Sequence, residues 1–194
     1  NTSLPEGGIH IRPEYDPLGQ DERMVRYKIP RVLEYARQNR IDRVAFGLSR
    51  PTRLGIVTSG KAYLDCISAL RQLGIDEERA RTLGIGLYKV GMVWPLEPDG
   101  LKSFASQCEE LLFVEEKRPL VEDQAKAILY AEEKRPGIVG KFTSHNIPLL
   151  PADLPLETAT VANAIAGRLE TLGQLDTELE GRHALVRNRI NRNL

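Results

Sequence analysis

The sequence has little cysteine and no surplus of either charge, and each shortage excludes a class of protein. The two cysteines, Cys66 and Cys108, stand far apart and outside any Cys-x-x-Cys or Cys/His cluster, so we predict no zinc or iron–sulfur site. Lys plus Arg and Asp plus Glu number 27 each, which argues against a general nucleic-acid binder. The apolar runs have the length of strands, so we expect no membrane contact. Two unpaired thiols are typical of a reducing compartment, and we expect a cytoplasmic protein.

Motifs that mark a catalytic centre are also missing. The sequence contains no Gly-x-Ser-x-Gly elbow, and its three histidines, His10, His145 and His183, lie in different regions. Gly84-Ile85-Gly86 lacks the third glycine of a dinucleotide fingerprint. We therefore predict no catalytic residue and no metal site in this chain.

One segment, residues 55–62 (GIVTSGKA), stops one residue short of a phosphate-binding P-loop. A P-loop ends in Ser or Thr, whose hydroxyl holds magnesium, and here that position is Ala62. Ile56 and Val57 favour a buried strand over a loop. We therefore predict a strand over residues 54–59, followed by a helix. The turn between them, Ser59-Gly60-Lys61, keeps one possible function, which is to bind an anion at the helix N-terminus.

The order of predicted elements indicates an α/β fold. Residues 1–20 are rich in proline and glycine and predict an extended arm. Because this start has the character of a loop and is not Met, we expect the chain to be part of a larger protein. Further on, strands alternate with helices. The predicted strands are 43–48, 54–59, 85–90, 111–115 and 137–141, and the main helices are 61–73, 99–108, 120–131 and 157–172.

Strands that alternate with helices of this length predict a three-layer α/β/α sandwich with a mostly parallel sheet. We divide the chain into an N-terminal arm and helix (1–40), an α/β domain (41–172) and a C-terminal helical tail (173–194). Ligands of such sheets bind beyond the carboxyl ends of the strands. The loops at those ends are therefore the candidate functional segments.

Two of these loops are candidate interfaces between domains or subunits. The first carries Met92 and Trp94, the only tryptophan in the chain. An exposed tryptophan is typical of a surface that a partner covers, although Trp94 could also fold back on its own domain. The second is the charged run Glu115, Glu116, Lys117 and Arg118, which we interpret as a solvated or interface salt-bridge cluster. Its adjacent carboxylates should point in opposite directions, so a shared acid–base site is not expected.

Several segments in the same order resemble the large indolepyruvate ferredoxin oxidoreductases. They are residues 54–65 (LGIVTSGKAYLD), 87–98 (LYKVGMVWPLEP), 114–124 (VEEKRPLVEDQ), 139–141 (VGK), 5–8 (PEGG) and 26–30 (RYKIP). The resemblance implies a domain similar to the transketolase C-terminal domain, with a five-stranded, mostly parallel sheet and one antiparallel edge strand, supplied here by residues 44–48.

The resemblance also implies what the parent enzyme would do. It would decarboxylate an aryl 2-oxoacid oxidatively, form an aryl-acetyl-coenzyme A and reduce ferredoxin, with thiamine diphosphate, magnesium, iron–sulfur clusters and coenzyme A. The domain would contact the other domains or subunits and help to form a homo-oligomer.

This chain lacks the Gly-Asp-Gly motif for magnesium and thiamine diphosphate and the cysteine series for a cluster. We therefore expect it to bind none of these cofactors and to be inactive alone. The alternative from the residues is a small-anion module that holds coenzyme A or another nucleotide at Ser59-Gly60-Lys61.

Overall fold

The computed structural model describes residues 4–11, 13, 16–47 and 52–192, and these residues form five strands and eight helices. The strands are β1 (Arg43–Phe46), β2 (Thr52–Ser59), β3 (Ile85–Val90), β4 (Cys108–Val114) and β5 (Gly137–Val139). The helices are α1 (Pro17–Arg23), α2 (Ile29–Gln38), α3 (Gly60–Gln72), α4 (Glu77–Thr82), α5 (Pro98–Ala105), α6 (Leu120–Leu129), α7 (Thr158–Thr171) and α8 (Thr177–Arg192), with the π-helical segment Met24–Lys28 joining α1 to α2.

The five strands form one sheet in the order β1-β3-β2-β4-β5. Strand β1 lies antiparallel to β3 at one edge, and the other neighbours are parallel. The predicted fold class is therefore confirmed: a mostly parallel five-stranded sheet with one antiparallel edge strand and helices on both faces.

Alternate residues of the central strands supply two separate cores. In β2, Leu54 and Ile56 pack with α3 and α7 on one face, while Val57 packs on the opposite face with α5 and α6. In β4, Leu112 faces the first core and Leu111 the second. This division follows from the period of two in a strand. Helices α3, α4, α7 and α8 thus cover one face, and α5 and α6 the other.

Several predicted element boundaries differ from the structure by a few residues, among them the starts of β2 and β4 and the ends of β5 and α6. Strand β1 ends at Phe46, and the predicted end of that strand, residue 48, lies outside the described residues. The helix predicted over 99–108 ends at Ala105, and Cys108 begins β4, where it lies opposite Thr52 of β2. Pairing with β2 extends β4 backwards into residues whose local sequence also permits a helix. None of the helices in the described ranges combines the length and the apolar character needed to cross a bilayer.

Helix α8, in the predicted C-terminal tail, belongs to the packed structure. It lies against α7, and its Leu179 and Val186 are part of the core on that face of the sheet. This helix is polar overall, but Leu179 and Val186 form a narrow apolar stripe on one of its faces. The domain boundary at residue 172 stays a prediction, but the fold itself continues to Arg192.

A buried histidine joins these two helices and predicts how stability depends on pH. His183 is 4% exposed, and its Nε2 lies 2.9 Å from Asn163 Oδ1 on α7. Burial, with a smaller effect of Arg187, lowers the pKa of His183 from its ordinary 6.5. Below that pH the unfolded chain takes up a proton that the folded chain resists, so protonation favours unfolding.

We therefore expect the contribution of His183 to the free energy of unfolding to fall as the pH drops from about 7 to about 5. A His183→Gln variant should show a smaller fall, and urea titrations at each pH measure the difference. The matched control is His145→Gln, because His145 is exposed; it should keep the wild-type slope. Equal slopes in all three proteins would contradict this prediction.

Candidate functional site at the carboxyl edge of the sheet

The loops that follow β2, β3, β4 and β5 meet at one edge of the sheet, as expected for parallel strands. Ser59 ends β2 and precedes α3, and Gly60 adopts a φ of +53° that glycine tolerates without strain. Ile56 and Val57 are fully buried in β2. The prediction of a strand followed directly by a helix is confirmed, so this segment does not form a phosphate-wrapping loop.

The turn is open, but its lysine is already engaged. The space around the Gly60 Cα is empty within 4 Å, and the Ser59 side chain does not cap the helix. Lys61 Nζ lies 2.8 Å from Asp65 Oδ2 and 3.8 Å from Glu116 Oε2, and it donates to the Leu156 carbonyl at 3.1 Å. These carboxylates, Asp65 first, raise the pKa of Lys61. Anion binding at this turn stays a prediction, and it would have to compete with both carboxylates.

The charged run after β4 separates into an inward and an outward part. Glu115 is 5% exposed, and its carboxylate accepts hydrogen bonds from the backbone N–H of Val121 (2.7 Å) and Glu122 (2.9 Å). It therefore caps the N-terminus of α6 from the preceding loop, and burial raises its pKa. Glu116 faces the other way, accepting from Leu156 N at 3.2 Å.

The interpretation of Glu115 as a surface or interface residue needs correction, because its carboxylate is turned inward to the α6 N-terminus. The other three residues of the run, Glu116, Lys117 and Arg118, are exposed. The two adjacent carboxylates do not form a shared acid–base site, because they face different elements. An interface role for the three exposed residues stays a prediction.

A buried lysine completes this network. Lys141 is 3% exposed, and its Nζ donates to the carbonyls of Glu115 (2.6 Å) and Pro151 (2.9 Å). Burial lowers its pKa. Glu122, also buried, accepts from Lys141 N and from Lys126 Nζ. Lys141 thus ties β5 to the loop after β4 and to the Pro-rich connection, and its amine points into the protein.

The tryptophan loop is held in place from both sides. Asp42 Oδ1 accepts from the backbone N–H of Gly91 (2.7 Å) and Met92 (3.0 Å). On the other side, Gln124 of α6 donates to Val93 O (2.8 Å) and accepts from Leu96 N (3.0 Å). A loop fixed at four backbone positions presents its side chains in a constant geometry.

Trp94 itself does not fold back on the domain. Its side chain is 58% exposed, while Met92 is half-buried. Other loops at the same edge also expose large apolar side chains. We call the resulting set the carboxyl-edge surface; it comprises Val93, Trp94, Leu120, Phe142 and Ile147. Exposed apolar side chains on successive loops of one edge are typical of an interaction surface.

Sequence reasoning missed Asp42, Gln124 and Lys141, whose partners lie far away along the chain. Only Lys141 carried a local signal, since it is the last residue of the predicted strand 137–141. Within the described ranges, no group of three or more His, Cys, Asp or Glu side chains is arranged to hold a metal ion. At this edge the buried charged groups already have partners within the chain, whereas several apolar side chains are exposed to solvent.

Residues 44–192 match a protein family described as the indolepyruvate oxidoreductase domain. No curated protein sequence matches the chain. One solved structure that aligns with it is a split gene transketolase, inactive beta4 tetramer: identity 15%, TM-score 0.46, covering 66% of this chain and 41% of that one. Another is 2-oxoglutarate:ferredoxin oxidoreductase from Magnetococcus marinus with 2-oxoglutarate, coenzyme A and succinyl-CoA bound: identity 19%, TM-score 0.48, covering 86% of this chain and 25% of that one. The chain thus spans less than half the length of either structure.

Proposed function

The chain belongs to the indolepyruvate oxidoreductase domain family, and from this premise we propose that it is a non-catalytic assembly domain. Its parent would be a cytoplasmic, thiamine-diphosphate-dependent oxidoreductase that converts an aryl 2-oxoacid, such as indolepyruvate, to an aryl-acetyl-coenzyme A and passes the electrons to ferredoxin. The domain would hold the other domains or subunits of that enzyme together, including a second copy of the same chain.

The state of the charged groups supports a non-catalytic role. A general base or nucleophile needs a free lone pair or thiolate that faces a substrate. Glu115 and Lys141 are turned inward to backbone partners, and Lys61 is matched by two carboxylates. Burial raises the pKa of the Cys66 thiol to about 12, which makes it a poor nucleophile.

The residues of this chain do not fit the cofactors of the parent enzyme. Magnesium with a diphosphate needs oxygen ligands that converge, and the described part of the chain offers no such cluster of carboxylates. An iron–sulfur cluster needs four thiolates, and the chain has two cysteines. We therefore derive no chemical step through thiamine diphosphate or a cluster within this domain.

The observation that carries the proposal is the carboxyl-edge surface. Burial of an apolar side chain such as that of Trp94 contributes about 2 kcal/mol or more when a partner covers it. The loop that carries Trp94 is anchored by Asp42 and Gln124, so little conformational freedom would be lost on docking. Aromatic anchors on a fixed loop are typical of interface centres.

A mixture of the purified chain with indolepyruvate, coenzyme A, thiamine diphosphate, magnesium and oxidised ferredoxin should give no turnover. Calorimetric titration with thiamine diphosphate and magnesium should give no binding heat. The physical reason is that no described residue is placed to bind the diphosphate or to transfer a proton. Thioester formation by the isolated chain would contradict the non-catalytic role.

Hydrogen exchange of the backbone amides tests separately whether a partner docks at the carboxyl-edge surface. In the isolated chain, Trp94 and Val93 should exchange quickly because their loop is exposed. In the full-length oxidoreductase that contains this chain, the same peptide should be protected. The peptide around Tyr130, an exposed residue directly after the C-terminal end of α6 and away from the surface loops, serves as the control. Equal exchange of the Trp94 peptide in both proteins would contradict docking at this surface.

One observation favours the alternative, a module that binds coenzyme A or another nucleotide at Ser59-Gly60-Lys61. The first turn of α3 is not capped by a side chain, and the space around Gly60 is open, so backbone N–H groups remain for an anion. Titration of the chain with coenzyme A and with ATP separates the two functions. A signal that Lys61→Ala abolishes would favour the nucleotide module, and no signal would favour the assembly domain.

A further inference from the structure

A second group of polar side chains lies beside the tryptophan loop, in a cleft between α2 and α5. The cleft has a volume of about 410 Å³, and its lining includes the side-chain oxygens of Asp42 before β1, Tyr88 in β3 and Glu97 before α5. A Cβ built on Gly100 would lie 2.6 Å from Tyr88 Oη and 2.9 Å from Glu97 Oε2. These two oxygens therefore border the same small space.

Two of the oxygens in this cleft lack a partner. Tyr88 is 2% exposed, and its hydroxyl makes no hydrogen bond within the described part of the chain. Asp42 Oδ2 is likewise buried and unpaired, while Oδ1 is bound to the tryptophan loop. Buried polar atoms are normally hydrogen-bonded, and each one left without a partner is destabilising. The cleft thus contains two buried oxygen atoms that a ligand with hydrogen-bond donors would satisfy.

The carboxylates of Asp42 and Glu97 also favour a ligand that carries positive charge and hydrogen-bond donors. Glu97 is 3% exposed, and its carboxylate caps the N-terminus of α5 by accepting from the backbone N–H of Asp99 (3.0 Å) and Gly100 (2.7 Å). Neither Glu97 nor Asp42 forms an ion pair with a described residue. Burial, together with the nearby Glu97, raises the pKa of Asp42, and burial with both carboxylates raises the pKa of Tyr88. A cation placed among these groups would bring the pKa of Asp42 and that of Tyr88 back towards their ordinary values.

Arginines surround the same cleft. Arg37, Arg40 and Arg43 line it, and only Arg37 has an ion-pair partner, Asp99, among the described residues. Arg40 and Arg43 are exposed, so they lie at the mouth, while the carboxylates lie at the floor. The lining also includes the apolar side chains of Val44 and Phe104.

We propose that this cleft binds a free α-amino acid, with its ammonium group among Asp42, Glu97 and Tyr88 and its carboxylate at Arg40 and Arg43. An ammonium group has three N–H donors, which matches three acceptor residues. The apolar lining would receive an aliphatic or aromatic side chain. The cleft volume lies within the range of small-molecule sites.

Other ligands fit the charge pattern less well. A bare amine would leave the arginines at the mouth unmatched and would have to pass them. A simple anion would meet two carboxylates at the floor. A divalent cation would require further ligating side chains, and no group of three is arranged for it among the described residues. The arrangement of negative floor and positive mouth therefore selects a zwitterion.

The test is calorimetric titration of the chain with leucine, phenylalanine and alanine, and then with two matched analogues of leucine. 3-Methylbutylamine lacks the carboxylate, and 4-methylpentanoate lacks the ammonium group. We expect at least one of the amino acids to bind. Each analogue should then bind at least about tenfold more weakly than leucine, because it loses a charge-assisted contact.

Two variants locate the binding. Tyr88→Phe removes only a hydroxyl that has no partner, so the fold should be kept, and it should weaken amino-acid binding about tenfold. Asp42→Asn retains an oxygen for the tryptophan loop but removes the charge, with a similar or larger loss. Glu77→Gln is the control, because Glu77 is an exposed carboxylate elsewhere on the surface, and it should bind as the wild type does.

The proposal would be overturned by any of three results. The first is no heat with all three amino acids at about 10 mM. The second is binding of 3-methylbutylamine as tight as that of leucine. The third is unchanged affinity in Tyr88→Phe and Asp42→Asn. Because the assembly proposal depends on the exposed apolar side chains of the carboxyl-edge surface and not on a bound amino acid, such results would leave it standing.

Discussion

Arg168→Leu should lower the free energy of unfolding by about 3 kcal/mol or more. Arg168 of α7 donates from Nε and Nη2 to the two carboxylate oxygens of Glu110 in β4, at 2.7 and 2.6 Å. Both side chains are nearly buried, at 13% and 10% exposure. Without the arginine, the carboxylate of Glu110 stays nearly buried beneath α7 and has no positively charged partner.

The magnitude follows from desolvation and not from the attraction between the two charges. A buried ion pair stabilises little relative to an apolar pair of similar size, but a single buried charge without its partner is costly. The double variant Glu110→Leu/Arg168→Leu should therefore recover most of the lost stability. Urea unfolding of the two single variants and the double variant measures this coupling.

The adjacent strand residue provides the matched control. Glu109 pairs with Arg53 of β2, but both side chains are well exposed to solvent. Arg53→Leu should change stability by no more than about 1 kcal/mol, because water screens an exposed pair. If Arg53→Leu and Arg168→Leu cost the same, burial of the Glu110 carboxylate would not be the cause.

Gly55→Ala should have the second large effect. We expect it to lower the free energy of unfolding by about 2 kcal/mol. Gly55 lies in β2, and an added Cβ would come within 2.7 Å of Cys108 Sγ, 2.8 Å of Leu111 Cδ2 and 2.9 Å of Phe104 Cε1. Strand β2 is paired on both sides, so it cannot move away, and the neighbours must shift instead. Thermal unfolding of the variant measures the loss.

The same substitution at another glycine should have the opposite sign. Gly167 lies inside α7, and an added Cβ would contact nothing within 4 Å. Gly167→Ala should therefore stabilise the chain by about 0.5–1 kcal/mol, because alanine loses less backbone freedom than glycine on folding. Destabilisation by both substitutions would show that the close contacts around Gly55 are not the reason for its effect.

Gly55 also illustrates how far local sequence can be read. In the sequence it is the first glycine of a near P-loop, but in the structure it allows Phe104 and Leu111 to approach the centre of the sheet. The strand itself was predictable, because Ile56 and Val57 favour a buried strand whatever surrounds them. The reason for the glycine was not, because it depends on residues about fifty positions away.

Boundaries and burial show the same limit. A helix end just before Gly74 and the capping of α4 by Asp76 were predictable from local chemistry, and both are present. The inward direction of Glu115 was not, since a Glu-Glu-Lys-Arg run is usually solvated. Its carboxylate is buried because the N-terminus of α6 offers two backbone N–H donors, and only the packing of that helix brings them within reach.

By itself the sequence determined the elements, their order and the mostly parallel sheet, because strand and helix periodicities and turn residues act over a few positions. It also carried the resemblance to the indolepyruvate oxidoreductase domain family. Only the tertiary structure decided which charges are buried, how the tryptophan loop is anchored and that Asp42, Tyr88 and Glu97 line one cleft. Those features depend on contacts between residues tens of positions apart, which no local pattern encodes.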